Sequence, residues 1–182
     1  MVKVVGAQGR RLALRLIQVA DAPYVYDLRT NPAYSEFLSK VQGGVEGQFR
    51  WIELYKLREL AGLEYYFIIE RLDGVRCGVV RLYDINHDQF SWGSWILDCN
   101  KPQLAALESA VLSFGLGFEQ LGRKCALIQV RNANEHAKSF YRRFGLKETH
   151  SDGANLYFSY TWEQFLIDRV RHYSVLAGEV LP

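Results

Sequence analysis

The 182-residue sequence is poor in the residues that staple or metallate small proteins. Its three cysteines, Cys77, Cys99 and Cys125, are far apart and form no CxxC pair. An odd number at that spacing argues against a disulfide framework and for free thiols in a reducing compartment. The four histidines, His87, His136, His150 and His172, are equally scattered, so no metal-ligand spacing is present and no metal is expected. No apolar run approaches a membrane span, and the N-terminal MVKVVGAQGRRLALRL lacks the continuous apolar segment of a secretory signal. The expectation is a cytoplasmic protein without a membrane partner. Charge of one sign is missing too: 22 Lys and Arg against 20 Asp and Glu leave a net +2, spread along the chain. That pattern suits a solvated surface better than a nucleic-acid footprint. Repeats, low-complexity tracts and linkers are absent, and only the tail AGEVLP looks frayed. With 49% hydrophobic and 23% charged residues, one domain spanning 1–182 is expected, long enough to bury its own core.

Hydrophobic periodicity places the elements in order. RLALRLIQ alternates Leu12, Leu14 and Leu16 as a strand does, and Asp21-Ala22-Pro23 opens a short helix to about Leu28. RTNPAYSEFLSKVQGG reads as loop, and GQFRWIELYKLREL as a second helix with Phe49, Ile52, Leu54, Tyr55 and Leu57 near helical spacing. Three strands follow, EYYFIIER, VRCGVVRLYDI and QFSWGSWIL, with turns at Asp73-Gly74 and Asn86-His87-Asp88. The spacing predicts a long helix over NKPQLAALESAVLSFGLGFEQLG, with Asn100 as N-cap, Pro102 in its first turn, and Leu104, Leu107, Val111, Phe114 and Phe118 along one face. KCALIQV is a buried strand. In NANEHAKSFYRRFGL, Ala137, Phe140, Tyr141 and Phe144 share one helical face, Asn134 suits the N-cap and Gly145 the left-handed terminator. LKETH and NLYFSYTW form a hairpin around Ser151-Asp152-Gly153, and a last helix runs from about Trp162 to Ser174.

The resulting order, β-α-α-β-β-β-α-β-α-β-β-α, predicts an α/β fold: one mixed, mostly antiparallel sheet with a single parallel βαβ crossover and helices on both faces. The crossover helix starts at the carboxyl edge of its strand, where oriented N–H groups and the helix dipole can hold a phosphate.

This order, together with Asn134 and SFYRRFGL, resembles the GCN5-related N-acetyltransferase (GNAT) superfamily over roughly residues 12 to 160. The last motif looks like the family's N-x-x-A-x-x-x-Y-x-x-x-G-F, filled here by Asn134, Ala137, Tyr141, Gly145 and Leu146. The resemblance implies acetyl-CoA as co-substrate and transfer of its acetyl group to a primary amine. It implies that the strand before the long helix pairs with the pantetheine arm through Trp95, Ile96, Leu97 and Asp98. The start of that helix, Gln103, Leu104, Ala105, Ala106, Leu107 and Glu108, would wrap the pyrophosphate, with Asn134 and Ala137 completing the co-substrate site. Here the family's Gln/Arg-x-x-Gly-x-Gly/Ala loop reads QLAALE. Ala106 is small enough for close backbone approach, whereas Glu108 suits a phosphate site only if its side chain turns away. Tyr141 matches the family's general acid; by spacing alone it reads as a core tyrosine.

Many relatives carry a glutamate base near the position of Ser91, and serine is no base at neutral pH. A water chain ending on a backbone carbonyl, His87, Asp98 or Glu70 are the stand-ins. An amine of pKa about 8 is roughly one-tenth free base at pH 7 and a lysine under a thousandth, a difference of about 3 kcal/mol. The missing glutamate therefore favours a weakly basic acceptor, a small-molecule or nucleotide-linked amino sugar or an α-amine. YYFIIERLDGVRCGVVRLYDI and the relaxed phosphate loop are similar to bacterial nucleotide-amino-sugar N-acetyltransferases. A protein N-terminal acetyltransferase of the ribosomal-protein type and a non-catalytic GNAT-fold domain that binds acyl-CoA or a partner are the alternatives. Tyr34, Trp51, Tyr65, Trp92, Tyr157 and Phe158 are candidates to line the acceptor cleft, most of them equally suited to core. Oligomeric state is left open.

Overall fold

The alternation at Leu12–Leu16 forms strand β2 in the computed structural model, which describes residues 4–178. The tail AGEVLP falls largely outside those residues. Leu12 and Leu14 are buried on one face of the sheet. A short strand, β1 (Gly6–Gln8), pairs along β2. With three residues it is too short to show a period, and the sequence does not announce it.

Helix α1 (Ala22–Thr30) buries Ala22, Val25 and Leu28 at helical spacing. The stretch read as loop then contains one more helical turn, α2 (Pro32–Ser35), because Asn31 Oδ1 accepts the Ala33 amide at 2.9 Å and Pro32 needs no donor partner at the first position. Helix α3 (Gly44–Leu60) turns Gln48, Ile52 and Tyr55 inward, while Leu54 and Leu57 face solvent at 59% and 65% exposure.

Strands β3 (Tyr65–Arg71), β4 (Arg76–Tyr83) and β5 (Gln89–Leu97) form the antiparallel meander. Helix α4 (Ala105–Gly115) crosses over to β6 (Cys125–Arg131), which is parallel to β5. Helix α5 (Glu135–Phe144) leads into the hairpin β7 (Lys147–Ser151) and β8 (Asn155–Thr161), and α6 (Trp162–Ala177) follows. The sheet order is β1-β2-β3-β4-β5-β6-β8-β7, with β5–β6 the parallel pair and every other neighbour antiparallel. One apolar cluster packs the sheet against α4, α5 and α6, and a second packs the other face against α1 and α3. The mixed sheet with helices on both faces is the architecture the element order predicts.

Helix α4 starts later than its sequence signals suggest. The Asn100 amide donates to Asp98 Oδ1 at 2.7 Å, so Asn100 is held in a turn behind the strand instead of capping a helix. Pro102 lies in the same turn, its carbonyl accepting the Ala105 amide at 3.2 Å. The residue that caps α4 is Leu104, in a left-handed conformation at φ 63. At its far end α4 widens by one residue, Leu121 N–H donating to the Leu116 carbonyl at 3.0 Å.

Candidate active site

Strands β5 and β6 pair only from Gln89–Ser91 to Cys125–Leu127 and then diverge. Beyond Ser91, β5 stays on β4 through a bulge in which Ser94 takes φ 48. The bulge brings the Ile96 carbonyl so close to Gly78 that a Cβ there would lie 2.3 Å from its oxygen, which only glycine tolerates. A cavity of about 660 Å³ occupies the opening, walled by β5, β6, α5, the start of α4 and the α1–α2 region.

The backbone around the opening is sorted by hydrogen bonding. Asp98 N–H donates to the Cys77 carbonyl on β4 at 2.9 Å. Alternation along the strand turns the Leu97 amide the other way, toward the open side. At the start of α4 the amides of Ala106 and Leu107 have no acceptor among the described residues, and Ala106 lies on the cavity wall. A left-handed residue followed by a helical first turn gathers such N–H groups into an anion-binding concavity. Of the non-glycine residues at positive φ among the described residues, Ser94 lines this cavity, Asp84 follows Tyr83 on its wall, and Leu104 stands two positions before Ala106. Unfavourable backbone conformations of this kind cost about 1–3 kcal/mol each and concentrate where a site requires them.

Two of the acidic residues expected at the co-substrate are committed to the fold. Glu108, 1% exposed, accepts the amides of Arg11 at 2.8 Å and Leu12 at 3.3 Å, so its carboxylate faces the β1–β2 turn and leaves the helix start clear for a phosphate. Asp98 accepts the Tyr24 hydroxyl at 2.8 Å as well as the Asn100 amide, leaving neither its side chain nor its N–H for pantetheine. Ile96 packs its side chain into the α1–α3 core on the opposite face. Gln103 is exposed, and Leu104, Ala105 and Leu107 stand off the cavity wall. Trp95, Leu97, Ala106, Asn134, Ala137 and Tyr141 are the expected residues that the structure brings together on it.

Tyr141 projects into the cavity from α5. The helix is set by its ends: Asn134 Oδ1 accepts the Ala137 amide at 3.0 Å, and Gly145 closes it at φ 118. The Tyr141 ring is 7% exposed and lies edge-on to Trp92 and Phe158, with centroids 5.9 and 5.5 Å away. Its hydroxyl has no hydrogen-bond partner among the described residues, and burial pushes its pKa above the ordinary 10. Trp92 and Trp95 tie β5 to α4, their Nε1–H groups donating to Ser113 Oγ at 2.8 Å and Ser109 Oγ at 3.1 Å.

The wall's electrostatics come from residues that no local pattern flags. Among the described residues, Arg29, Lys101, Arg131 and His136 line the cavity, and no Asp or Glu does. Ser91, at the position of the family's glutamate base, donates from Oγ to Asp84 at 3.3 Å. His87 sits in the hairpin turn beside Asp88, and Glu70 is bonded to Arg15 at 2.8 Å, both away from the wall. Of the aromatic candidates, Tyr34 lines the cavity, while Tyr65, Trp92 and Phe158 are core. Tyr157 stacks on His150 at 4.2 Å near the β7–β8 turn, and Trp51 borders a second, smaller cavity. Among the described residues, no three His, Cys, Asp or Glu side chains converge as metal ligands, and no helix is long and apolar enough to cross a membrane.

A sheet opened at one parallel strand pair, with a buried phenol and a helix start facing the opening, is the frame of an acyl-group transferase. The chain matches the acetyltransferase (GNAT) domain family over residues 11–147 and belongs to it; it is an N-acetyltransferase. It is similar to the solved structure of apo FdhC, described as a nucleotide-linked sugar GNAT, at 34% identity and a TM-score of 0.84, covering 94% of this chain and 96% of that one. RimJ of Mycobacterium smegmatis, in complex with CoA-disulfide, shares the fold at 17% identity and a TM-score of 0.80, covering 97% and 96%. Spermidine N-acetyltransferase of Vibrio cholerae, with CoA and spermine, does so at 18% identity and 0.73, covering 85% and 98%. No curated protein sequence matches significantly.

Proposed function

We propose that this enzyme moves the acetyl group of acetyl-CoA to the primary amine of a nucleotide-linked amino sugar. The observation that carries the reading is the opening between β5 and β6, where Tyr141 lies on the wall of a cavity lined by cations and, among the described residues, free of carboxylates. Such walls attract a phosphorylated acceptor and repel a polyamine. The likeness to FdhC supports the same acceptor class.

In this reading pantetheine lies along β5, pairing with backbone groups such as the Leu97 amide, and the pyrophosphate rests on the amides of Ala106 and Leu107. Asn134 and Ala137 flank the arm from α5. The amine arrives as its free base and attacks the thioester carbonyl. A backbone N–H of β5 stabilises the oxyanion, a contribution of about 3–4 kcal/mol. As the C–S bond breaks, Tyr141 passes its proton to the departing thiolate, and the amine's surplus proton, carried through water, restores the phenol. The phenol's raised pKa does not defeat this step, because the same dry surroundings raise the basicity of the thiolate.

The test is thiol release from acetyl-CoA across an acceptor panel: nucleotide-linked amino sugars, free amino sugars, spermidine and N-terminal peptides. Highest kcat/KM on a nucleotide-linked amino sugar is expected. Preference for spermidine or a peptide would overturn the proposal, and CoA binding without turnover on any amine would favour a non-catalytic domain.

A further inference from the structure

A second cavity, about 320 Å³, adjoins the first and shares Arg29, Ser39 and Ser94 with it. Among the described residues its wall carries three cations, Arg29, Lys40 and Arg81, and again no carboxylate. Arg81 is backed by Glu64, which accepts its Nε–H at 2.9 Å and also pairs with Arg58, so one buried carboxylate is divided between two guanidiniums and the group keeps a net positive charge.

Two polar groups here are left without partners. Gln48 is 4% exposed, faces this cavity, and its side-chain amide makes no hydrogen bond among the described residues. Arg29 donates from Nη2 to the Ser39 carbonyl at 3.1 Å and to its Oγ at 2.8 Å, yet its buried Nε–H has no acceptor. Buried donors without acceptors are unfavourable, and an arriving anion with several oxygens would supply what is missing.

We propose that this second cavity is the subsite for the acceptor's diphosphate, gripped by Arg29, Lys40, Arg81 and Gln48 while the sugar amine reaches Tyr141 through the shared wall. The inference rests on the nucleotide-linked acceptor proposed above. It assigns Arg29, at the junction of the two cavities, to the end of the diphosphate nearest the sugar.

The test is calorimetric titration of CoA-saturated protein with uridine diphosphate, thymidine diphosphate and inorganic pyrophosphate, for wild type, Arg29→Gln and Lys40→Ala. Lys40 is exposed, so its variant reports on binding without risk to the fold. At least one nucleoside diphosphate is expected to bind the CoA-loaded wild type, with affinity falling tenfold or more in each variant and CoA affinity staying within twofold. Acceptor KM should rise in parallel while kcat changes little. Failure of all three probes to bind, or binding by both variants as tight as by wild type, would overturn the subsite. Acetylation of a nucleotide-linked amino sugar with unaltered KM in the variants would also overturn it, while leaving the acceptor class intact. Variant-sensitive diphosphate binding without acetylation of any nucleotide-linked amino sugar would uphold the subsite and defeat the acceptor reading instead.

Discussion

Replacing Tyr141 by phenylalanine removes one hydroxyl and nothing else from a ring packed against Trp92, Phe140 and Phe158 at 5.5 to 6.1 Å. Those contacts are apolar and survive the change. The hydroxyl has no intramolecular partner among the described residues, so no hydrogen bond of the fold is lost, and stability should move by less than about 0.5 kcal/mol. Catalysis should respond very differently. A positioned proton donor contributes about 10²–10⁴-fold, so kcat should fall at least 100-fold, equivalent to about 2.7 kcal/mol of barrier. In the proposed mechanism the phenol acts on sulfur as it leaves, so acetyl-CoA affinity should stay within a few-fold. Scanning calorimetry, CoA titration and thiol release by Tyr141→Phe separate these quantities. Full kcat with a lowered melting temperature would make Tyr141 a core residue. Equal losses in affinity and turnover would make the hydroxyl a co-substrate contact.

Other consequences are open to measurement. Ala106→Glu places a carboxylate beside the unpaired amides of α4 and should weaken CoA binding by at least about 1 kcal/mol; unchanged affinity in a folded variant would move the phosphates elsewhere. With saturating acetyl-CoA, turnover should rise with pH along the acceptor amine's own titration and show no falling limb up to about pH 10, because burial keeps the Tyr141 phenol protonated. A falling limb in the neutral range, or faster acetylation of lysine side chains than of amino sugars at pH 7, would refute this. His172, buried against Phe144 with Arg171 beside it, has its pKa pushed down from 6.5 to about 4, mainly by burial. The unfolded chain then binds the extra proton first, so stability is full above pH 6.5 and declines toward pH 4, by about 2 kcal/mol after allowing for solvent relaxation near the ring. His172→Phe should flatten that part of the stability profile, and an unaltered slope would refute the assignment.

The parts of the molecule written in local code were legible beforehand. Asn134 and Gly145 mark both ends of α5 because an N-cap and a left-handed terminator act within one turn, and the structure shows both in those roles. The order of strands and helices was readable for the same reason, and the parallel pair followed from chain connectivity. The start of α4 is not legible in the sequence, because Asn100 and Pro102 carry helix-start chemistry while the Asp98 carboxylate claims the Asn100 amide first. Nothing about a leucine announces a left-handed cap, so Leu104 was invisible as one. Glu108 stood out as an acid at a phosphate loop, but its solution depends on Arg11 and Leu12, about a hundred residues away in the chain. The cationic walls were hidden most completely. Arg29, Arg81 and Arg131 lie on α1, β4 and β6, and each looks like an ordinary surface residue until the sheet brings them to adjoining cavities.

The most direct test of the account is a crystal structure of the enzyme with CoA. The account predicts the pantetheine arm in the opening between β5 and β6, its sulfur within hydrogen-bonding distance of the Tyr141 hydroxyl, and its pyrophosphate on the amides of Ala106 and Leu107. CoA lying outside that opening, or with its sulfur remote from Tyr141, would contradict it.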